Sequence, residues 1–426
     1  MSVTAVIGSQ WGDEAKGKMV DILSQNADIV ARFNGGDNAG HTVVNQYGTF
    51  KLRLTPNGFY NPDTICIIGP GVVVNMNTLI SEIELIQVKG IQLEGRLWVS
   101  PRCNVIMPWH PMLESIYEKA KGKSQTGTTR RGIGPTYADK VSYNGIRLFD
   151  FRDKNILNEK IQTQLAIKNP ILQEFGLEPI EPNYCQAEKI EQYLKLEGFV
   201  RESFGLLQES LAAGKDILLE GAQGALLDNI WGTYPYCTAS VPLAGGAAAG
   251  LGIPPGKITN VIGVTKAYTT RVGSGPMPTE QFDEVSEILQ QKGKEFGTVT
   301  GRPRRCGWFD ADLVRFTSQL NGVDELAITK LDVLDTMPAI KICVGYRSIE
   351  KNNRLSSYWE GDAIWLASCK PEYIELPGWQ QSTRNAKRFA DLPVEAQDYI
   401  RKIEELVGVK VGFVSVGPDR DETIRM

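Results

Sequence analysis

The sequence predicts an α/β fold: one unit over residues 1–426, with a mostly parallel central sheet, a phosphate-loop-like start, long inserted loops and helical subdomains. Three observations predict it. Short apolar bursts of four to six residues alternate with longer stretches of helical period, the pattern of parallel strands covered by helices. The first burst runs into a Gly-rich turn and then a helix, the setting of a phosphate loop. No Pro/Gly/Ser tract, charge run or internal repeat divides the chain, and ligand-like motifs occupy both its first fifty and its last fifteen residues. One large unit is therefore more economical than the two or three that length alone suggests.

In chain order, strands are predicted at VTAVIG (3–8), ADIVARF (27–33), TICIIG (64–69), DILLEG (216–221), NVIGVTKAY (260–268), ELAITK (325–330), AIKICVGY (339–346) and VGFVSVG (411–417). All are apolar runs rich in β-branched residues. Helical period predicts helices over 16–25, 77–88, 110–121, 155–168, 186–212, 310–320 and 393–406.

Composition narrows the function. The 46 Lys and Arg against 50 Asp and Glu leave a net charge of −4, which argues against nucleic-acid or anionic-membrane partners, since both need a basic face. Hydrophobic residues make up 42% and charged residues 23%, the balance of a globular protein with a large core. The seven Cys are scattered without a CxxC pair and there are only two His, which points away from a disulfide framework or a zinc site. No run of eighteen apolar residues occurs, and MSVTAVIGSQ lacks the basic and apolar regions of a signal peptide, so the expectation is a cytoplasmic enzyme.

The turn after the first strand reads SQWGDEAKGKMVDIL, with G-x-x-x-x-G-K from Gly12 to Lys18 between strand and helix. Glycines there let backbone N–H groups cradle phosphate, the helix N-terminus adds positive potential, and a Lys reaches the outer phosphates. Met19 stands where the usual motif has a hydroxyl for magnesium, so another oxygen must hold any ion. Asp13 and Glu14 lie inside the loop, where a carboxylate facing phosphate grips a cation or handles a proton; the alternative is a Gly-rich turn with a solvated acidic pair. FNGGDNAGHTV (33–43) follows the second strand and offers Asn38, His41 and Thr42 at the carboxyl end of a parallel strand, where such folds bind ligands. His110, between two prolines, reads as structural.

TKLDVLD places Lys330 and Asp332 as in the TKxD element of guanine-nucleotide proteins: the carboxylate accepts from guanine N1–H and the 2-amino group, for which adenine has no match. SVGPDRDE (415–422) could close the base pocket. Thr128 and Thr129 in TGTTRRGIGP, and Thr238 in WGTYPYCTAS, suit a monophosphate, while Gln223 in EGAQG could direct its amide to a carbonyl oxygen. Arg302, Arg304 and Arg305 crowd one Gly/Pro-rich loop and repel unless they meet carboxylates or phosphates.

With QWGDEAKGK, NAGHT, GTTRRGIGP, EGAQG, GTYPY, KAYTTRVGSGP, TGRPRRCGW, TKLDVLD and SVGPDR in order, the chain resembles the adenylosuccinate synthetase family nearly throughout. The resemblance implies a GTP-dependent ligase that joins aspartate to IMP through 6-phosphoryl-IMP, with one magnesium ion, as a homodimer. It implies Asp13 as general base and metal ligand, the Gly40 carbonyl as second metal ligand, His41 as the acid assisting departure of GDP, and Gln223 on the 6-oxyanion. For GTP it implies Gly12, Asp13, Glu14, Ala15, Lys16, Gly17, Lys18, Gly40, His41, Thr42, Arg304, Lys330, Leu331, Asp332, Ser415, Val416 and Gly417. For IMP and aspartate it implies Asp13, Lys16, Asn38, Ala39, Gly40, His41, Thr128, Thr129, Gln223, Thr238, Thr298, Val299, Thr300, Gly301, Arg302 and Arg304. Three positions depart from the family pattern: Ala15 replaces a Gly, Val299 a Thr, and Tyr143 an Arg that reaches the partner subunit's IMP phosphate, with Arg147 or the Arg130–Arg131 pair as the nearest substitutes. Other readings are a paralogue acting on another 6-oxopurine nucleotide and a GTP-binding switch protein.

Overall fold

Strand β1 (Val3–Gly8) is an apolar run buried at every position but Thr4, and it takes the middle of a nine-stranded sheet. The computed structural model describes residues 2–297 and 301–426. The other strands are β2 (Ile29–Arg32), β3 (Ile65–Ile68), β4 (Leu97–Val99), β5 (Ile217–Glu220), β6 (Asn260–Lys266), β7 (Glu325–Thr329), β8 (Lys410–Ser415) and β9 (Thr423–Arg425), in the order β9-β8-β7-β6-β1-β5-β2-β3-β4. The eight from β8 to β4 are parallel, and β9 runs antiparallel at one edge. From β1 the chain winds outward through β2, β3 and β4, returns to fill the place beside β1 with β5, and then builds β6, β7 and β8 on the other side. Loops leaving the carboxyl ends on either side of β1 therefore part company and open a crevice, which is where open α/β sheets bind ligands.

Helix α1 (Lys16–Leu23) covers one face of the sheet: its Met19 and Val20 are fully buried against Val6, Val30, Leu218 and Val264. Met19 is thus a core residue, which accounts for its apolar side chain. The alternate residues of the same strands face the largest core cluster, closed by helices Ala244–Leu251, Ala311–Asn321 and Val394–Val407. A further core lies beyond β3 and β4 under helices Met76–Val88, Trp109–Ala120, Lys154–Glu174 and Pro182–Leu196.

The structure departs from the sequence reading in three places. The predicted strand at 339–346 is absent from the central sheet; as Ala339–Arg347 it pairs with Phe309–Asp310 and Lys370–Pro377 in a separate three-stranded sheet. Its alternation of buried Ile340 and Ile342 with half-buried Ala339 and Lys341 is that of a strand wet on one face, unlike the fully buried parallel strands. The predicted helix over 186–212 is two helices, Pro182–Leu196 and Phe204–Ala212, broken so that Arg201 N donates to Val99 O (3.0 Å) at the edge of β4. Helices Ile133–Val141, Ala244–Leu251 and Glu284–Gly293 fall in stretches for which no helix is predicted. In the second of these, two glycines have a packing reason: a Cβ on Gly250 would meet Phe33 O at 2.3 Å, and one on Gly246 would meet Val241 O at 2.6 Å.

Candidate active site

The loops at the carboxyl ends of β1, β2, β5, β7 and β8 surround one cleft of about 970 Å³, large enough for more than one small ligand. Its floor is the turn between β1 and α1. Glu14, fully buried, folds back to accept from Gln10 N (3.1 Å) and Gly12 N (2.7 Å) and from Lys16 Nζ (2.7 Å). Glu14 is therefore a structural brace and not a solvated charge. Asp13 turns the other way, its Oδ2 2.9 Å from Arg304 Nε. Gly12, Asp13 and Ala15 all have positive φ, at 93°, 61° and 66°. The Cβ of Ala15 is thus carried in left-handed backbone, at a cost of about 1–2 kcal/mol. Of the ten non-glycine residues with positive φ among the described residues, five (Asp13, Ala15, Gln223, Lys294 and Lys330) line this cleft. Such strain concentrates where a site must be held ready.

His41 opens the hairpin His41–Asn45/Gly48–Leu52, which packs on α1: a Cβ on Gly17 would meet His41 Cβ at 3.0 Å. Burial, then the charges of Arg32 and Lys16, push the His41 imidazole down to about 3, so it is neutral at physiological pH, and its Nε2 has no protein partner. An anionic ligand would reverse the electrostatic part of that shift and find a nitrogen ready to bond. Across the cleft, Gln223 Nε2 donates to Asn38 Oδ1 (3.1 Å), and its Oε1 accepts from Asn34 Nδ2 (3.3 Å) and Ser240 Oγ (3.2 Å). Thr238 Oγ1 is buried without a partner. Glu118 gathers the 126–128 segment by accepting from Gly127 N (2.9 Å) and Thr128 N (3.4 Å), and Glu114 accepts from Gly132 N (2.6 Å).

At the far end, Asp332 lines the cleft; burial raises its pKa, and Asp335 adds to the effect. Lys18 Nζ donates to Ser415 Oγ (2.7 Å), Gly417 O (2.7 Å) and Glu422 O (3.2 Å). This corrects the spacing argument: the motif lysine is spent on the turn after β8, and Lys16 is the loop amine held at Glu14. Burial takes Lys18 down to about 8, against the pull of Glu422 and Asp332.

The family profile of adenylosuccinate synthetase matches residues 5–424. The chain belongs to the adenylosuccinate synthetase family. It is 48% identical to the adenylosuccinate synthetase of Gloeothece citriformis over 425 residues, covering 100% of this chain and 94% of that one. With the Carboxydothermus hydrogenoformans enzyme it shares 46% over 425 residues, covering 100% and 99%. The fully ligated adenylosuccinate synthetase from Plasmodium falciparum superposes with a TM-score of 0.94 at 35% identity, each chain covered in full. The chain is a C–N-bond-forming, GTP-dependent ligase of aspartate and IMP in purine biosynthesis.

Of the residues that the adenylosuccinate synthetase resemblance implies, Gly12 to Lys18, Asn38 to Thr42, Thr128, Thr129, Gln223, Thr238, Gly301, Arg304, Lys330, Asp332, Ser415 and Gly417 all line the cleft. Leu331 and Val416 do not; their side chains are fully buried in the main core, so only their backbone could serve a ligand. Arg302 is exposed and outside the lining. Thr298, Val299 and Thr300 lie outside the described residues. His110 is structural as read: Nδ1 accepts from Met107 N (2.9 Å), leaving Nε2 to donate to Asp139 Oδ2 (2.9 Å). The residue-by-residue reading missed the buried Glu220 and Arg271, which line the cleft, and Lys266 and Glu295 behind it. Lys266 and Arg271 lie in the KAYTTRVGSGP motif, whose polar residues inside an apolar strand context were the available signal.

Proposed function

We propose that IMP, aspartate and GTP lie side by side in this cleft and react through 6-phosphoryl-IMP, with the whole chain acting as one unit in a cytoplasmic homodimer. The observation that carries this reading is the pairing of Asp13 with Arg304 in a strained loop, opposite His41 and Gln223. Asp13 accepts the N1 proton of IMP, and charge moves to O6, toward which Gln223 aims the amide N–H that Asn38 leaves unused. The oxyanion attacks the γ-phosphorus of GTP, GDP departs with His41 bonding its phosphate oxygen, and the aspartate amine then displaces phosphate from C6. Phosphorylation converts the poor 6-oxo leaving group into a good one, and phosphoryl transfer needs mainly positioning and charge neutralisation.

Among the described residues no group of three or more His, Cys, Asp or Glu is placed to hold a metal. Asp13 and Gly40 both line the cleft, and the carboxylate of the one and the carbonyl of the other, two hard oxygen donors, are the groups that would hold a magnesium ion. When bound, the ion would neutralise phosphate charge. Asp332 accepts from guanine N1–H and the 2-amino group. Lys330 lays its stem along the base, its amine being tethered at Gly293 O and Glu295. Thr128, Thr129, Thr238 and Asn38 hold IMP, and Thr300, Arg302 and Arg304 frame aspartate.

The test is Asp13→Ala. It should remove ligation at saturating substrates while leaving the thermal midpoint close to wild type, since a loop carboxylate adds little to the core. Retention of more than about a tenth of wild-type turnover would refute the role, because loss of a positioned general base costs roughly 10²–10⁴-fold.

A further inference from the structure

One buried carboxylate stands behind both ends of the cleft. Glu295, fully buried at the end of helix Glu284–Gly293, accepts on Oε2 from Lys266 Nζ (2.8 Å) and Arg304 Nη1 (2.7 Å). On Oε1 it accepts from Lys266 Nζ (2.9 Å) and Tyr268 OH (2.5 Å), with Lys330 Nζ 3.1 Å away. Three cations thus converge on one anion. Desolvation alone would raise Glu295, but Lys266, Lys330 and Arg304 together hold it well below the carboxylate range, so it stays ionised. Lys266 is fully buried and donates a third bond to Thr270 Oγ1 (2.6 Å), making it the fixed counter-ion of the pair. Arg304 and Lys330 are different: each spends only one end on Glu295. Arg304 carries its Nε to Asp13 (2.9 Å), and Lys330 leads through left-handed backbone into the segment that presents Asp332.

We propose that Glu295 is a positioning residue for ligation, fixing at once the arginine that meets the loop carboxylate and the lysine beside the base pocket. It rests on the roles given above to Asp13, Arg304 and Lys330. Charge bookkeeping separates this role from ion-pair stability. If Glu295 served only to neutralise Lys266, removing both charges together would leave nothing uncompensated. If it positions Arg304 and Lys330, removing both still leaves those two side chains unanchored.

The experiment compares Glu295→Gln with the double variant Glu295→Gln/Lys266→Met, reading thermal midpoint, kcat, and the Michaelis constants for GTP and aspartate. The single variant should lose thermal stability, since it strands Lys266 in the interior. The double variant should regain most of that stability. Its kcat should stay down by roughly 10²-fold, the scale of a misplacement of about 1 Å, with both Michaelis constants raised. Recovery of kcat together with stability would overturn the proposal, as would a Glu295→Gln protein with wild-type kcat and Michaelis constants. Should the single variant not fold, the double variant alone decides by the same readout. Failure here leaves the Asp13 result untouched, so an error about Glu295 is distinguishable from an error about the active site.

Discussion

At the scale of single residues, the cleft is built from groups whose protein partners are incomplete. His41 has one nitrogen without a partner and a pKa pushed to about 3 by burial and by Arg32 and Lys16. Two consequences follow for His41→Asn. Turnover should fall by roughly 10²–10⁴-fold if the imidazole bonds the departing phosphate, and an unchanged kcat would return His41 to a packing role. The second concerns stability. Because the folded value lies below the unfolded value of 6.5, the unfolded chain takes up a proton between about pH 6.5 and 3 that the folded chain refuses, so His41 destabilises the fold as pH falls through that window. Urea midpoints at pH 7.5 and 4.5 should therefore lie closer together in the Asn variant. At the other end of the cleft, Asp332→Asn replaces an acceptor with a group that can also donate. GTP should weaken by about 2–3 kcal/mol while xanthosine triphosphate gains, and wild-type discrimination between the two would place the base pocket elsewhere.

At the scale of elements, a buried cap sets a second pH dependence. Asp310 caps helix Ala311–Asn321 through Leu313 N (3.2 Å) and accepts from Tyr346 OH (2.7 Å). Burial raises it to about 7, helped by Asp312 and opposed by the Tyr346 bond. The fold thus prefers the protonated carboxyl, and that stability, present below the unfolded value near 3.8, is lost as pH rises toward 7. Asp310→Asn keeps a capping side chain without the charge. Its thermal midpoint should exceed wild type at pH 8 and converge with it near pH 4; a lower midpoint at pH 8 would refute the assignment. The contrast with the helices explains what could be read beforehand. Runs such as VTAVIG and DILLEG announce parallel strands because all their apolar positions are buried, and the motifs at their ends line the cleft as spaced. The helix AGGAAAGL hides behind three glycines, of which Gly246 and Gly250 serve close packing. The direction of Lys18 was equally illegible, since spacing fixes where a side chain starts and not where it ends. Glu295 gave no local signal either, its partners Lys266 and Lys330 lying far from it in sequence on either side.

At the scale of the molecule, the monophosphate end of the cleft carries an unbalanced charge. A phosphate at Thr128 and Thr129 would sit beside Glu114, a buried carboxyl that already accepts from Gly132 N, while the buried Thr128 hydroxyl has no partner. The cations that might answer it within this chain point elsewhere. Arg131 Nη1 faces Asp37 Oδ2 (3.9 Å), Arg130 and Arg147 are exposed, and Tyr143, with φ 67°, is 98% exposed and outside the cleft lining. Val141 and Tyr143 on one segment, and Ile230, Trp231 and Tyr234 on another, are exposed apolar side chains. A homodimer that brings segment 126–147 to its partner's cleft would supply the missing cation. A charge-assisted bond to phosphate contributes about 1.5–3 kcal/mol, and a Tyr hydroxyl supplies only a weaker neutral bond. Tyr143→Arg should therefore lower the Michaelis constant for IMP. Either Arg131→Ala or Arg147→Ala should raise it if that arginine has taken over the contact. Light scattering across a dilution series should give twice the chain mass at concentrations where the enzyme is active. A fully active monomer, or three variants with the wild-type Michaelis constant, would remove the cross-subunit contact and leave the phosphate to the hydroxyls and amides of this chain alone.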